Sequence, residues 1–180
     1  VLSSKSEINY PTGENIIFSE SFYGKIVDNI KDAIRGINYT KEYINSLLQV
    51  MESNLTFIPS STDKSQYVDI SLYDHSKMTA AFGLCIEQYL VENEITNYKE
   101  ELFKKTKEFY KKKVFGLLSI DLSGIQSFIY NISDEKALKN LRARSFYLEM
   151  LMEHCVDELI ERCGLCRANV MYTGGGHTYI

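Results

Sequence analysis

The stretch Val114-Phe-Gly-Leu-Leu-Ser-Ile-Asp121 and its continuation Ser123-Gly-Ile-Gln-Ser-Phe-Ile-Tyr-Asn131 decide the reading of this chain. The first is a nearly continuous apolar run of strand length that ends in a carboxylate, the pattern of a central strand covered on both faces. The second reads as a tight turn into a short helix, which leaves free backbone amides just beyond the strand's C-terminal end, where a phosphate can sit. After Ser133-Asp134, apolar and small residues from Leu138 to Cys163 recur at three- or four-residue steps until Gly164 stops them, with a break near Arg142 to Ser145 left open. Ala168-Asn-Val-Met-Tyr-Thr173 and His177-Thr-Tyr-Ile180 are strand-like arms around Gly174-Gly175-Gly176, a hairpin whose glycines permit positive φ and close approach of another molecule.

Strand, helices, strand, tight hairpin, strand is the first part of a βαββαβ ferredoxin-like sheet. Upstream, Phe22, Ile26, Ile30, Ala33 and Ile37 predict one helix, and Ile44, Leu47, Leu48, Met51 and Leu55 predict a second after a Thr40 cap. A third begins near Asp74, with Asp74 or Ser71 placed to satisfy its first-turn amides. Residues 1–20 read as an extended lead-in with a short strand at Asn15 to Phe18, and the polar stretch from Ile58 to Gln66 reads as a loop. The expected class is therefore α+β: a mostly helical region over 1–113, then the truncated opening of a palm over 114–180.

Composition narrows the rest. The chain has 180 residues, 44% of them hydrophobic and 24% charged, with 2 Pro and 10 Gly, so it can build a packed core and is not a disordered tail. A formal charge of -4 excludes a globally basic nucleic-acid coat. Residues 97–113 nonetheless hold seven Lys against three Glu, a local +4. Glu100 to Lys104, Glu101 to Lys105 and Glu108 to Lys112 are i,i+4 pairs, so a solvated helix accounts for them better than RNA contact does. No stretch approaches the roughly 20 apolar residues of a membrane span, and the start at Val1 shows no signal-peptide core, so no membrane partner and a cytoplasmic location are expected. Cys163-Gly-Leu-Cys166 is only half of a zinc site, and reduced cysteines without zinc are expected.

In palms built on this plan, a first-strand carboxylate and two hairpin carboxylates hold a pair of magnesium ions. Here Asp121 supplies the first, but Gly174-Gly175-Gly176-His177 stands where an active palm has Gly-Gly-Asp-Asp. One carboxylate leaves Asp121 beside a metal or a ribose and makes this half non-catalytic. By their resemblance to nucleotide-holding palms, Ser123, Gly124, Ile125 and Gln126 are implied near phosphates, Gly174, Gly175 and Gly176 beneath the nucleotide, and His177 on base or phosphate. Arg142 and Arg144 are two apart on a helix and point in nearly opposite directions, so only one, taken as Arg144, faces a ligand; a salt bridge is its structural alternative. Asp74 is read as a cap.

Ile70-Ser-Leu-Tyr-Asp-His-Ser-Lys-Met-Thr-Ala-Ala81, Ser119-Ile-Asp-Leu-Ser-Gly-Ile-Gln-Ser-Phe-Ile-Tyr-Asn131, Leu141-Arg-Ala-Arg-Ser-Phe-Tyr-Leu-Glu149 and Ala168-Asn-Val-Met-Tyr-Thr-Gly-Gly-Gly-His177 resemble the large subunit of type III CRISPR effector complexes, especially the III-A kind. The resemblance implies an excerpt spanning the helices after an HD nuclease domain and the start of the first of two palms. It implies that the full-length subunit joins ATP into cyclic oligoadenylates with magnesium or manganese once the complex has captured target RNA, and that its HD domain cuts single-stranded DNA. Partners implied are the other subunits, guide RNA and target RNA indirectly, and ATP. The excerpt alone is not expected to be an enzyme. The competing reading is a scaffold that docks neighbouring subunits and guide RNA without touching ATP.

Overall fold

The computed structural model describes residues 18–40, 43–63, 69–131 and 137–180. The expected strand at Asn15 to Phe18 lies outside these residues except for Phe18, which precedes a helix, and so does part of the loop beyond Asp63. Two compact units divide the chain, 1–76 and 77–180.

In the first unit, α1 (Glu20–Ile34) starts where the Ser19 hydroxyl accepts the Phe22 amide at 3.2 Å, and it ends at Arg35, before Ile37. Helix α2 (Ile44–Leu55) is preceded by Tyr43 with no side-chain cap; Thr40 contributes only its carbonyl, which accepts the Tyr43 amide at 3.0 Å. Leu55, Ile58 and Tyr73 are buried, with Phe22, Ile26, Ile30 and Met51 against them. Burial, and then the neighbouring Glu52 carboxylate, pushes the Tyr73 phenol above its ordinary range. The expected loop is anchored at its ends: Pro59 and Ser71 form an antiparallel bridge, and the Leu72 amide donates to the Ile58 carbonyl at 2.7 Å. Helix α3 (Leu72–Glu92) is capped by Ser71, whose hydroxyl accepts the Asp74 amide at 2.9 Å and donates to the Asp74 carboxylate at 2.7 Å. Both candidate residues thus share one cap.

The second unit begins within α3. The lysine-rich segment is not one regular helix: a π-helical turn (Glu100–Lys104) leads into the four-residue α4 (Thr106–Phe109). Glu100 pairs with Lys104 at 2.9 Å as the spacing predicts, but the π-turn changes the register. Glu101 pairs instead with Lys112, eleven residues on, which holds its carboxyl below the usual range. Phe109 is buried and packs edge-on against Tyr89 at 6.0 Å.

The sheet has three antiparallel strands, β1 (Ser119–Asp121), β2 (Tyr172–Gly174) and β3 (His177–Tyr179), in the order β1-β3-β2. Between β1 and β2 run α5 (Ile125–Tyr130) and α6 (Ala137–Arg162), so the chain has the opening topology of a split βαβ sheet. Three expectations need correction. Strand β1 is three residues long and flanks β3 from one side, with Phe115, Leu117 and Leu118 exposed ahead of it rather than covered on both faces. Residues 168 and 169 form a 3₁₀ turn (Arg167–Asn169) rather than strand, because the Asn169 side chain accepts the Cys166 amide at 3.2 Å and curls the chain. Helix α6 runs without a break through Arg142 to Ser145.

One face of the sheet packs on α6. Val156 and Thr178 are fully buried, Met152, Ile160 and Val170 nearly so, and Ile120, Leu122, Leu165 and Ile180 close the cluster. Helix α6 stops as the spacing predicts. Gly164 takes φ +63°, its amide reaches Glu161 at 3.0 Å, and the Leu165 amide reaches Ile160 at 2.7 Å. A side chain at 164 would also strike the Gln88 amide, which donates to the Cys163 and Gly164 carbonyls at 3.0 and 2.7 Å. Buried Asn169 reaches the Ala81 carbonyl at 3.3 Å and so fastens the 3₁₀ turn to α3.

No helix among the described residues is long and apolar enough to cross a membrane. The four cysteines are free.

Two outcomes follow from this packing. Met152→Ala, which empties the centre of the second core, should cost about 2–5 kcal/mol in urea unfolding of the protein. Burial raises the Cys85 thiol above its ordinary value, whereas Cys155 and Cys163 are exposed. With fewer thiolates at a given pH, Cys85 should alkylate after Cys155 and Cys163 in a timed iodoacetamide reaction near neutral pH, and catch up as pH rises.

Candidate functional site

The hairpin sets the geometry. Gly175 and Gly176 take φ +60° and +84°, the pair of positive values that a two-residue turn of the right twist needs, so Gly174 lies opposite His177. A Cβ at Gly176 would lie only 2.0 Å from the Ile125 methyl. Ile125 is therefore packed beneath the turn, and the Gly176 carbonyl accepts the Leu122 amide at 2.9 Å. These contacts draw the end of β1, the turn at Ser123-Gly124 and the hairpin into one corner of the fold. Gly124, at φ +79°, precedes α5 without a side-chain cap, and the first amides of that six-residue helix have no partner within it.

Behind the hairpin lies a cavity of about 350 Å³ lined by apolar Ile125, Ile129, Leu148 and Met152, by the backbone of Gly174 to Gly176, and by Ser145 and Glu149 from α6. Glu153 also reaches it, but Arg167 holds that carboxylate at 2.5 Å and Asp157 at 2.6 Å. An apolar cleft with a few polar groups at its mouth has the makeup of a small-molecule site.

On the opposite, open face, strand alternation brings Ser119, Asp121, His177 and Tyr179 together. The His177 Nδ1 donates to Asp121 Oδ1 at 2.9 Å, while Nε2 lies 3.2 Å from the Tyr179 hydroxyl and 3.5 Å from Ser119 Oγ. The Tyr172 phenol lies over Gly174, where any side chain would meet its hydroxyl at 2.8 Å.

Of the residues singled out in the sequence, Asp121 and His177 are directly bonded, and Ile125 and Gly174 to Gly176 share the cavity. Ser123, Gly124 and Gln126 are exposed in the adjoining turn and first turn of α5. Arg144 is engaged elsewhere: its guanidinium donates to the Phe128 and Asn131 carbonyls at 2.6 and 2.7 Å and lies over the Phe128 ring, which caps the C-terminal end of α5. Ser145 and Glu149 went unnoticed as cavity residues, although they are four apart on one face of α6. Ser119 and Tyr179 were also missed, although they lie two residues from Asp121 and His177 on their strands.

A single carboxylate already bonded to an imidazole does not fit a two-metal centre, which needs several convergent oxygen ligands. Among the described residues, no group of three or more His, Cys, Asp or Glu side chains comes together as a metal site.

Residues 114–180 match the family model described as Csm1 subunit domain B. The whole chain is 48% identical to the CRISPR system single-strand-specific deoxyribonuclease Cas10/Csm1 (subtype III-A) of Mycobacterium tuberculosis, covering 22% of that protein. Over 175 residues, 95% of the chain, it is 50% identical to the protein of the same name from Enterococcus italicus and covers 23% of it. A crystal structure of a Csm1-Csm4 cassette in complex with pppApA superposes with a TM-score of 0.72 at 36% identity, over 88% of this chain and 20% of that one. The chain thus spans between a fifth and a quarter of the length of these relatives, and with its split sheet and glycine hairpin it belongs to the Cas10/Csm1 family of CRISPR subtype III-A.

Proposed function

We propose that this chain is the nucleotide-holding, non-catalytic half of a palm in the large subunit of an RNA-guided type III antiviral complex. The palm starts at 114, where the family match also begins. One observation carries the reading: a glycine hairpin closes over an apolar cavity and has the strand-end carboxylate on its other face, in a chain whose structural relative was crystallised in complex with pppApA. The cavity takes the base, Gly174 to Gly176 let the nucleotide cross the edge of the hairpin so that its sugar lies against the open face, and the exposed turn from Ser123 to Gln126 meets the phosphates. ATP is the substrate of the full-length subunit, which joins it into cyclic oligoadenylates. The metal-assisted attack of a 3′-hydroxyl on an α-phosphate requires carboxylates from its other palm, with magnesium or manganese supplying charge stabilisation there. An HD nuclease domain, guide and target RNA, other subunits of the complex and a cytoplasmic setting complete the proposal.

Scaffolding is the second reading, and a specific feature favours it. Leu138, Phe146 and Met150 leave an exposed apolar stripe along α6, and Phe82, Phe115 and Leu117 leave another around a cavity at the edge of the sheet. Surface of this kind is covered in an assembly.

One measurement tests the lone-carboxylate argument and a second separates the readings. The chain alone, incubated with ATP and magnesium, should form no cyclic oligoadenylate above a buffer control. In the full-length subunit, Ser145→Phe fills the cavity from an exposed position, and calorimetry should show one of two ATP sites weakened tenfold or more. Two unchanged sites would favour the scaffold.

A further inference from the structure

The polar face of the sheet has a direction that its role in holding a nucleotide does not by itself require. Asp121 and His177 face each other across the β1–β3 pair, Ser119 faces Tyr179 one step along, and Ile120 and Thr178 between them turn to the opposite, α6-packed side. Because the Asp121 carboxylate can only accept, Nδ1 of His177 carries the proton. A neutral ring then has its lone pair at Nε2, toward the Tyr179 hydroxyl at 3.2 Å. The protons therefore point one way along the chain of bonds, from Tyr179 to His177 to Asp121. The Tyr179 oxygen, having spent its proton on Nε2, has only lone pairs left to offer.

Resting on the nucleotide reading above, we infer that Asp121 is a positioning residue for His177, and that the Asp121–His177–Tyr179 chain presents an acceptor to a hydroxyl of the nucleotide's sugar rather than a ligand set to a metal. A phosphate oxygen has no proton to give such an acceptor and meets the Asp121 charge behind it; a sugar hydroxyl has one. A divalent cation at Asp121 would share the carboxylate with the imidazole, and among the described residues no group of three or more His, Cys, Asp or Glu side chains converges to hold it. Tyr179 is exposed on the open face, so the acceptor is reachable.

The test uses the full-length subunit, ATP and its 2′-deoxy and 3′-deoxy forms, with calorimetry on Asp121→Ala, His177→Ala and the double variant. Each single change should weaken one ATP site about tenfold, the scale of one lost hydrogen bond. The double variant should be no weaker than His177→Ala within twofold, because Asp121 acts through the ring. One deoxy form should bind the original protein several-fold more weakly than ATP, and His177→Ala should erase that difference. The number of Mn²⁺ ions bound with ATP should be unchanged in Asp121→Ala. Additive losses, a lost Mn²⁺ ion, or a sugar preference that survives in His177→Ala would overturn the inference while leaving nucleotide binding intact. Two unaffected ATP sites in all three variants would overturn the nucleotide reading on which it rests.

Discussion

The turn at Gly175 and Gly176 is the constraint on which the rest of the second unit depends. Two successive positive φ values close the hairpin in two residues and leave no freedom in how β2 and β3 align. With β3 pinned, β1 can pair with it in the register that buries Ile120 and Thr178 against α6, and the same register puts Asp121 beside His177. A slip of one residue would turn Thr178 to solvent and His177 into the core. The Ile125 side chain beneath Gly176 makes the turn part of that packing and ties the helix after β1 to the glycines.

The same register settles the charge at the end of β1. Where paired carboxylates would repel one another without cations, glycine and histidine let Asp121 find a partner inside the chain. The carboxylate at that corner thus has a hydrogen-bond partner within the protein.

Much of this was legible in the order of residues. The strand ending at Asp121, the helix stopped at Gly164 and the glycine hairpin each rest on local physics: apolar run length, positive φ and helical period. The Ser71 cap was legible for the same reason. Contacts between residues far apart in sequence were not. Arg144 has no local signal for the carbonyls of Phe128 and Asn131, which reach it only because α5 folds back on α6. Lys112 finds Glu101 because a π-turn shifts the register that i,i+4 spacing assumes. Ser145 continues the apolar period of α6 and Glu149 reads as an ordinary polar helix position, and nothing in their spacing says that a hairpin will cover them. The likeness to III-A large subunits came from whole motifs, and it reached the family without needing those contacts.

Helix α6 joins two distant parts of the second unit as one unbroken rod. At 26 residues it is about 39 Å long. Its middle carries Ser145 and Glu149 at the cavity, and its far end is clasped by Gln88 from α3. A rod has no joint at which to absorb a tilt. A rotation of roughly 5° pivoting at the clasp would carry the opposite tip through about 3 Å, given that length. Whatever leans on α3 near Gln88 therefore has a mechanical handle on the mouth of the cavity.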